Sequence, residues 1–433
     1  MTRKLFGTDG VRGVAGEFIT AELALSLGRA AASIAPQAHP QVLIVRDTRE
    51  SGEMLEAALA AGIAAGGGHA LLGGVLPTPG ASVLVRRYGF DMAAVVSASH
   101  NPYRDNGIKF FGAEGMKVSD EQEAEIERRL EEPSSRIGRL RELHGAGNDY
   151  LRELELRFAS LDLSGLRVLL DCAHGATYRV APEIFRRLGA DVDAIAVEPD
   201  GRNINEGVGS TNIAALAERL AGHDLGFAFD GDGDRVLALD RNGTVVDGDE
   251  LMALAALHLR GSGRLAGDGV AVTVMTNYGF HRAMEDAGIE VATTNVGDRY
   301  VLAELLRRGW ALGGEQSGHI IDTGFVPSGD GTAGALLALA ALGGADLAER
   351  HAMEKLPQRL VNVRVRDRAA LDEAEAVWSA VERESESLRG RGRVLVRSSG
   401  TEPLVRVMVE APGEDECEEI AGRLANLVEA ELG

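Results

Sequence analysis

Short apolar runs that stop abruptly at polar, glycine-rich loops recur along this chain, and most of those loops lead into a stretch of helical periodicity. Val42-Leu43-Ile44-Val45 halts at Arg46-Asp47-Thr48-Arg49, and Met92-Ala93-Ala94-Val95-Val96 halts at Ser97-Ala98-Ser99-His100-Asn101-Pro102. Residues 166–171, 225–229 and 270–275 repeat the pattern, while Ala70-Leu71-Leu72 leads into Gly73-Gly74. Apolar runs of this length bounded by turn signals are buried strands, and their alternation with helices predicts an α/β fold with mixed, largely parallel sheets covered on both faces. The rhythm restarts after about residue 150, where Gly145-Ala146-Gly147-Asn148-Asp149 suggests a boundary, and again after about 250. Beyond about 357 the strands and helices lose it. The expected organisation is three related α/β domains, 1–150, 151–250 and 251–356, followed by a smaller α+β domain, 357–433.

Charge narrows the function. A formal net charge of −21 argues against a general nucleic-acid binder. It also opposes long-range attraction of anions, so any anion site must be a local cluster of Arg, Lys and N–H groups. Cys172 and Cys417 fit no disulfide or metal pattern, which favours a reducing, cytoplasmic setting. The opening residues lack an apolar signal segment. The apolar helix candidate 333–342 is about half the ~20 residues needed to cross a bilayer. A soluble protein without a membrane or nucleic-acid partner is expected.

Asp230, Asp232 and Asp234 alternate with glycines directly after an apolar strand. Three carboxylates so close repel one another and stay ionised together most easily around a cation, and hard oxygen ligands suit Mg²⁺. An EF-hand is the obvious competitor. It fails because its sixth position would be Arg235 rather than Gly, its twelfth would be Arg241 rather than Glu, and strands rather than helices flank it. A second alternative makes Asp230 itself a nucleophile, since a strand followed by Asp-x-Asp resembles the haloacid-dehalogenase phosphatases. A third is a non-enzymatic metal-binding protein.

Ser99 stands where a buried strand meets a loop, the usual place for a nucleophile in an α/β enzyme, though a turn-capping serine looks the same. Its neighbour His100 makes no hydrolase triad with it, because adjacent side chains diverge. Arg397-Ser398-Ser399-Gly400-Thr401, with Arg406 on the next strand, offers guanidinium forks, hydroxyls and N–H groups suited to a phosphate. Glu315, Ser317 and His319 lie in a glycine-framed loop and could hydrogen-bond sugar hydroxyls. Arg12, in Gly7-Thr8-Asp9-Gly10-Val11-Arg12-Gly13, could sit beside an anion.

Taken together and in order, Phe6–Gly13, Ser97–Pro102, Asp230–Arg235, Gly314–His319 and Arg397–Pro403 resemble the α-D-phosphohexomutase family over essentially the whole chain. Gly314–His319, Asn203-Ile204-Asn205 and Val296–Tyr300 are closer to its amino-sugar branch than to its phosphomannomutase/phosphoglucomutase branch, where a Met commonly replaces Gln316. The resemblance implies four domains round a central cleft, with a mobile C-terminal domain. It implies a phosphoserine at Ser99, and one Mg²⁺ held by Ser99, Asp230, Asp232 and Asp234. The catalytic candidates it implies are Ser99, His100, Lys109, Arg12, Arg235 and His319. Sugar recognition falls to Glu315, Ser317 and Asp298, and phosphate binding to Arg397, Ser399, Gly400, Thr401 and Arg406. The implied reaction interconverts glucosamine 6-phosphate and glucosamine 1-phosphate through a bound glucosamine 1,6-bisphosphate, which also serves as activator, in a monomer or homodimer. His174 and Ser398 depart from the family, whose members often carry Asn and Lys there; neither has an implied chemical role.

Overall fold

The computed structural model describes residues 5–7, 9–399 and 402–433. They form two compact units. One runs up to Val274 and resumes at Ala292–Arg350; the other comprises Met275–Val291 and His351–Gly433.

The larger unit holds three sheets. In the first, the spatial order is Val11–Val14, Asp105–Gly112, Met92–Val96, Gln41–Arg46, His69–Val75 and Arg139–Glu142. The last four run parallel; Asp105–Gly112 is antiparallel to both of its neighbours. Met92–Val96 is buried at every position, which is why it reads as an unbroken apolar run. The second sheet orders Val245–Val246, Val236–Asp240, Leu225–Phe229, Arg167–Asp171 and Asp191–Ile195, and its last three strands are parallel. Within this unit the third orders residues 292–294, Gly269–Thr273, Leu312–Gly314 and Ile320–Asp322. The smaller unit is different in kind. Gln358–Arg364, Leu404–Glu410 and Arg393–Ser398 form one antiparallel sheet, whose central Val405, Val407 and Val409 pack on Ile420, Ala421 and Leu424 of the helix Glu414–Leu432. The α/β and α+β expectations both hold.

Three local features depart from the pattern read in the sequence. Gly73-Gly74 lies inside the strand His69–Val75 rather than after it, where the register with the neighbouring strand slips at Ile44/Val45. The polar segment at 145–149 is the first turn of the helix Ala146–Arg157. The exposed edge strand Arg139–Glu142 has no apolar run to announce it. Among the described residues, no helix is long and apolar enough to cross a membrane.

Asp330 gives the larger unit a pH signature. It caps the helix Gly331–Leu342 by accepting the Ala333 N–H (2.9 Å) and also accepts the Tyr150 hydroxyl (2.8 Å). Burial outweighs these bonds and pushes its pKa up to about 6. A carboxyl raised in the folded state favours folding fully below its unfolded value near 4, and that contribution disappears as pH rises towards 6. Two units correspond to about 3 kcal/mol. Asp330→Asn keeps the cap, so it is expected to stabilise the protein at pH 7.5 by about 2–3 kcal/mol and to remove the slope between about pH 4 and 6. Thermal melts across that range check both.

Candidate active site

The loop Asp230-Gly231-Asp232-Gly233-Asp234-Arg235 links the strands Leu225–Phe229 and Val236–Asp240 and is buried almost throughout. Gly233 turns the chain at φ +73°, and a Cβ on Gly231 would lie 2.5 Å from the Ser99 carbonyl oxygen. Both glycines are therefore required for the carboxylates to converge beneath the serine loop. Ligand oxygens of the three aspartates lie within 4.8 Å of one another. Ser99, 2% exposed, donates its hydroxyl to Asp230 Oδ2 at 2.6 Å; contrary to the expectation that adjacent side chains diverge, its Oγ is only 3.4 Å from His100 Nδ1.

A cation fits this donor set. Asp232 Oδ1 and Asp234 Oδ1 are buried with no hydrogen-bond partner among the described residues, an expensive arrangement unless something positive faces them. Burial, with Asp234 and Asp232 alongside, drives the Asp230 pKa well above the carboxylate range. Asp232 goes the other way. Burial opposes its charge, but Lys109 Nζ (3.0 Å), the Thr78 hydroxyl (2.7 Å) and Arg12 outweigh it. Asp234 is likewise held down, against burial and Asp232, by His319, whose Nδ1 lies 3.6 Å from Asp234 Oδ2, and by Lys109.

A second layer of charge surrounds the cluster. Lys109 Nζ also lies 3.2 Å from Asp9 Oδ2, and Asp9 pairs with Arg12. Lys117 Nζ bridges Asp9 Oδ1 (2.5 Å) and Asp298 Oδ2 (2.6 Å). Despite burial, Lys117 and His319 depress the Asp298 pKa strongly. In the neutral His319 ring, Nε2 accepts the Gly329 N–H (3.1 Å) and Nδ1 carries the proton towards Asp234. Burial favours that neutral form, but Asp234, Asp298 and Glu315 together raise the His319 pKa. His100 moves down, through burial and the nearby Arg235 and Arg12, which favours its neutral, proton-accepting form. Glu315 Oε1 accepts the Gly297 N–H (3.0 Å) next to Asp298, while Ser317 stands exposed on the same loop.

The larger unit thus gathers Ser99, His100, Lys109, the three aspartates, Arg235, Asp298, Glu315 and His319, with Arg12 joined through Asp9. Arg397, Ser399 and Arg406 belong to the smaller unit. There Arg397 sits directly across from Arg406 on adjacent strands, a like-charge pairing relieved, among the described residues, only by Glu402, 3.7 Å from Arg406 Nη2, and burial together with Arg406 lowers the Arg397 pKa. Arg406 Nε is buried and has no partner among the described residues. Ser399 Oγ accepts the Glu402 N–H (3.3 Å). Gly400 and Thr401 lie outside the described residues. Thr78, Asp9 and Lys117 were not singled out in the sequence.

A fold of three α/β layers and an antiparallel α+β module, with a serine on a carboxylate triad, has known counterparts. Models of the phosphoglucomutase/phosphomannomutase domains match in order: α/β/α domain I at residues 3–136, domain II at 148–243, domain III at 247–360 and the C-terminal domain at 360–427. The chain belongs to the phosphoglucomutase/phosphomannomutase family. It is 49% identical to the phosphoglucosamine mutase of Pelotomaculum thermopropionicum, covering 98% of each chain, and 46% identical to that of Bacillus subtilis, covering 99% of each. Among solved structures, a family member from Burkholderia thailandensis superposes with a TM-score of 0.83 at 23% identity, over 98% of this chain and 97% of that one. A Thermus thermophilus putative phosphomannomutase gives 0.78 at 25% identity, over 98% and 100%.

Proposed function

We propose that this protein is a phosphoglucosamine mutase, an isomerase that interconverts glucosamine 6-phosphate and glucosamine 1-phosphate. The observation that carries the reading is the Ser99 hydroxyl hydrogen-bonded to Asp230 at the edge of a carboxylate cluster with two orphaned oxygens. Relatives of that name, similar over nearly the full chain, support it.

In this reading Ser99 carries a phosphoryl group. The sugar O1 attacks it, the Ser99 Oγ–P bond breaks as the O1–P bond forms, the O1 proton passes to a base, and Oγ leaves with a proton. The resulting 1,6-bisphosphate turns over. Ser99 Oγ then gives its proton to a base and attacks the phosphorus on O6, the O6–P bond breaks and O6 leaves with a proton, so the enzyme ends as it began. The loose transition state needs charge stabilisation more than covalent help. Arg12, Lys109 and Arg235 supply fixed positive charge. Asp230, Asp232, Asp234 and the Ser99 oxygen would hold one Mg²⁺, which when bound adds positive charge beside the transferring group. His100, 3.4 Å from Oγ and with its pKa lowered, is assigned to accepting a proton, and His319, between Asp234 and Asp298, to acid/base work or to holding charge beside the carboxylates. Glu315, Ser317 and Asp298 are assigned to the sugar, and Arg397, Ser399 and Arg406, with Gly400 and Thr401, to the phosphate that is not reacting.

The test compares kcat/KM for glucosamine 6-phosphate, mannose 6-phosphate and glucose 6-phosphate with the matching bisphosphate present. Glucosamine 6-phosphate is expected to lead. A tenfold advantage for mannose 6-phosphate, about 1.4 kcal/mol in transition-state binding, would assign the chain to the other branch.

A further inference from the structure

The strand Gln41–Arg46 runs parallel to Met92–Val96 with Arg46 opposite Val96, so Asp47-Thr48-Arg49 and Ser97-Ala98-Ser99 leave the sheet side by side. Arg49 does not turn to solvent. It is 1% exposed, and its guanidinium is spent on the backbone of the serine loop. Nη2 donates to the carbonyls of Ser99 (2.8 Å) and Asn101 (2.9 Å), and Nη1 to those of Asp105 (3.0 Å) and Pro102. Nε donates to Asp47 Oδ2 (2.8 Å). The same Asp47 oxygen accepts the Ser97 hydroxyl (2.6 Å), whose Oγ in turn accepts the Ser99 N–H (3.0 Å). Asp47 and Arg49 together therefore hold the Ser99 peptide groups from both sides, through the N–H and through the carbonyl.

Such a hold answers a specific need. Ser99 has φ +51°, left-handed backbone that costs a residue with a Cβ about 1–2 kcal/mol. Backbone of this kind persists where its surroundings over-determine it. Asn205 Nδ2 adds bonds to the Ser99 and Asn101 carbonyls (3.0 and 3.2 Å), but only the guanidinium fork has enough rigid donors for four carbonyls and a carboxylate. A buried cation is costly to desolvate. Here it is placed under the loop that carries the proposed nucleophile.

We propose that Arg49 is a positioning residue for phosphoryl transfer: through Asp47 and Ser97 on one side and four carbonyls on the other, it fixes the turn that aims Ser99 Oγ at Asp230. The inference rests on the reading of Ser99 as phosphoryl carrier. A nucleophile displaced by about 1 Å can lose 10²-fold in rate.

The test uses the full-length protein with Mg²⁺ and bisphosphate present. Arg49→Lys keeps the charge but not the fork. It is expected to lower kcat at least about 100-fold in both directions while KM for glucosamine 6-phosphate stays within about threefold. Ser97→Ala deletes a single hydroxyl and guards against a misfolded Arg49 variant. It is expected to lower kcat about tenfold with an unfolding temperature close to the parent's, and to add little further loss in the Arg49→Lys background, because both act through one turn. Wild-type kcat in either variant, a loss confined to KM, or fully additive losses would overturn the proposal. Ser99→Ala run alongside separates the two readings. If it stays active, Ser99 is not the carrier; if it is dead while Arg49→Lys keeps its kcat, only the positioning role fails.

Discussion

Ser99→Ala is expected to lower mutase activity by at least about 10⁴-fold, because no neighbouring hydroxyl can take over a covalent step and residues acting as a unit fail together. Ser97 is fully buried and donates to Asp47, and the Thr78 hydroxyl donates to Asp232, so both are already engaged. Stability should change little. Alanine meets the same left-handed strain at φ +51° that serine already bears, and the folded state loses one hydrogen bond to Asp230, worth about 1 kcal/mol. Kinetics with intact-mass analysis of the wild type and variant check this: the wild type is expected to carry a phosphoryl group that survives hydroxylamine, and the variant none. A hydroxylamine-sensitive phosphoenzyme in an active Ser99→Ala would instead place the phosphoryl group on a carboxylate, with Asp230 the first candidate.

How much of this site could be read from the chain depends on how local each signal is. Asp230, Asp232 and Asp234 are legible because carboxylates, glycines and flanking strand all fall within one short window, and the structure gathers their oxygens as that spacing requires. The strand endings were legible as well, since full burial leaves an unbroken apolar run. Lys117 and Asp9 were not, because their partnership spans 108 residues and that of Lys117 with Asp298 spans 181. Nothing near Lys117 distinguishes it from a solvated lysine. Arg49 is the instructive case. In the sequence it is part of a polar stop after a strand, and its burial is decided by carbonyls about 50 residues away. A signal was present all the same. Two parallel strands that both end in polar residues must bring those ends together, so Asp47-x-Arg49 could have been set against Ser97-x-Ser99 before any side chain was seen. The left-handed turn at Ser99 carries no such mark, since no glycine or asparagine stands there.

Asp232→Asn tests the other half of the site, and the balance of its effects can be worked out in advance. Asp232 Oδ2 accepts from both Lys109 Nζ and the Thr78 hydroxyl, so an asparagine oxygen would take that place and turn its NH₂ towards the position Oδ1 now occupies. A donor would then face the space that suits a cation. Removing one carboxylate also relieves the crowding on Asp230 and Asp234, while Lys109 keeps Asp9 at 3.2 Å as a counter-ion. In chelator these two changes oppose each other, and the variant should lie within about 2 kcal/mol of the parent, short of the 3–5 kcal/mol lost when a buried charge is stranded outright. Magnesium should separate them. At a hundred times its dissociation constant a ligand that binds only the folded state stabilises it by about 2.7 kcal/mol, a gain expected for the wild type and absent from Asp232→Asn. Activity should fall at least about 10³-fold, since fixed charge beside a transferring phosphoryl group is the main source of its acceleration. Melting curves with and without Mg²⁺, paired with kcat, make the comparison. Equal Mg²⁺-induced shifts in the two proteins would mean that the ion is held elsewhere and that Asp232 serves mainly to neutralise Lys109.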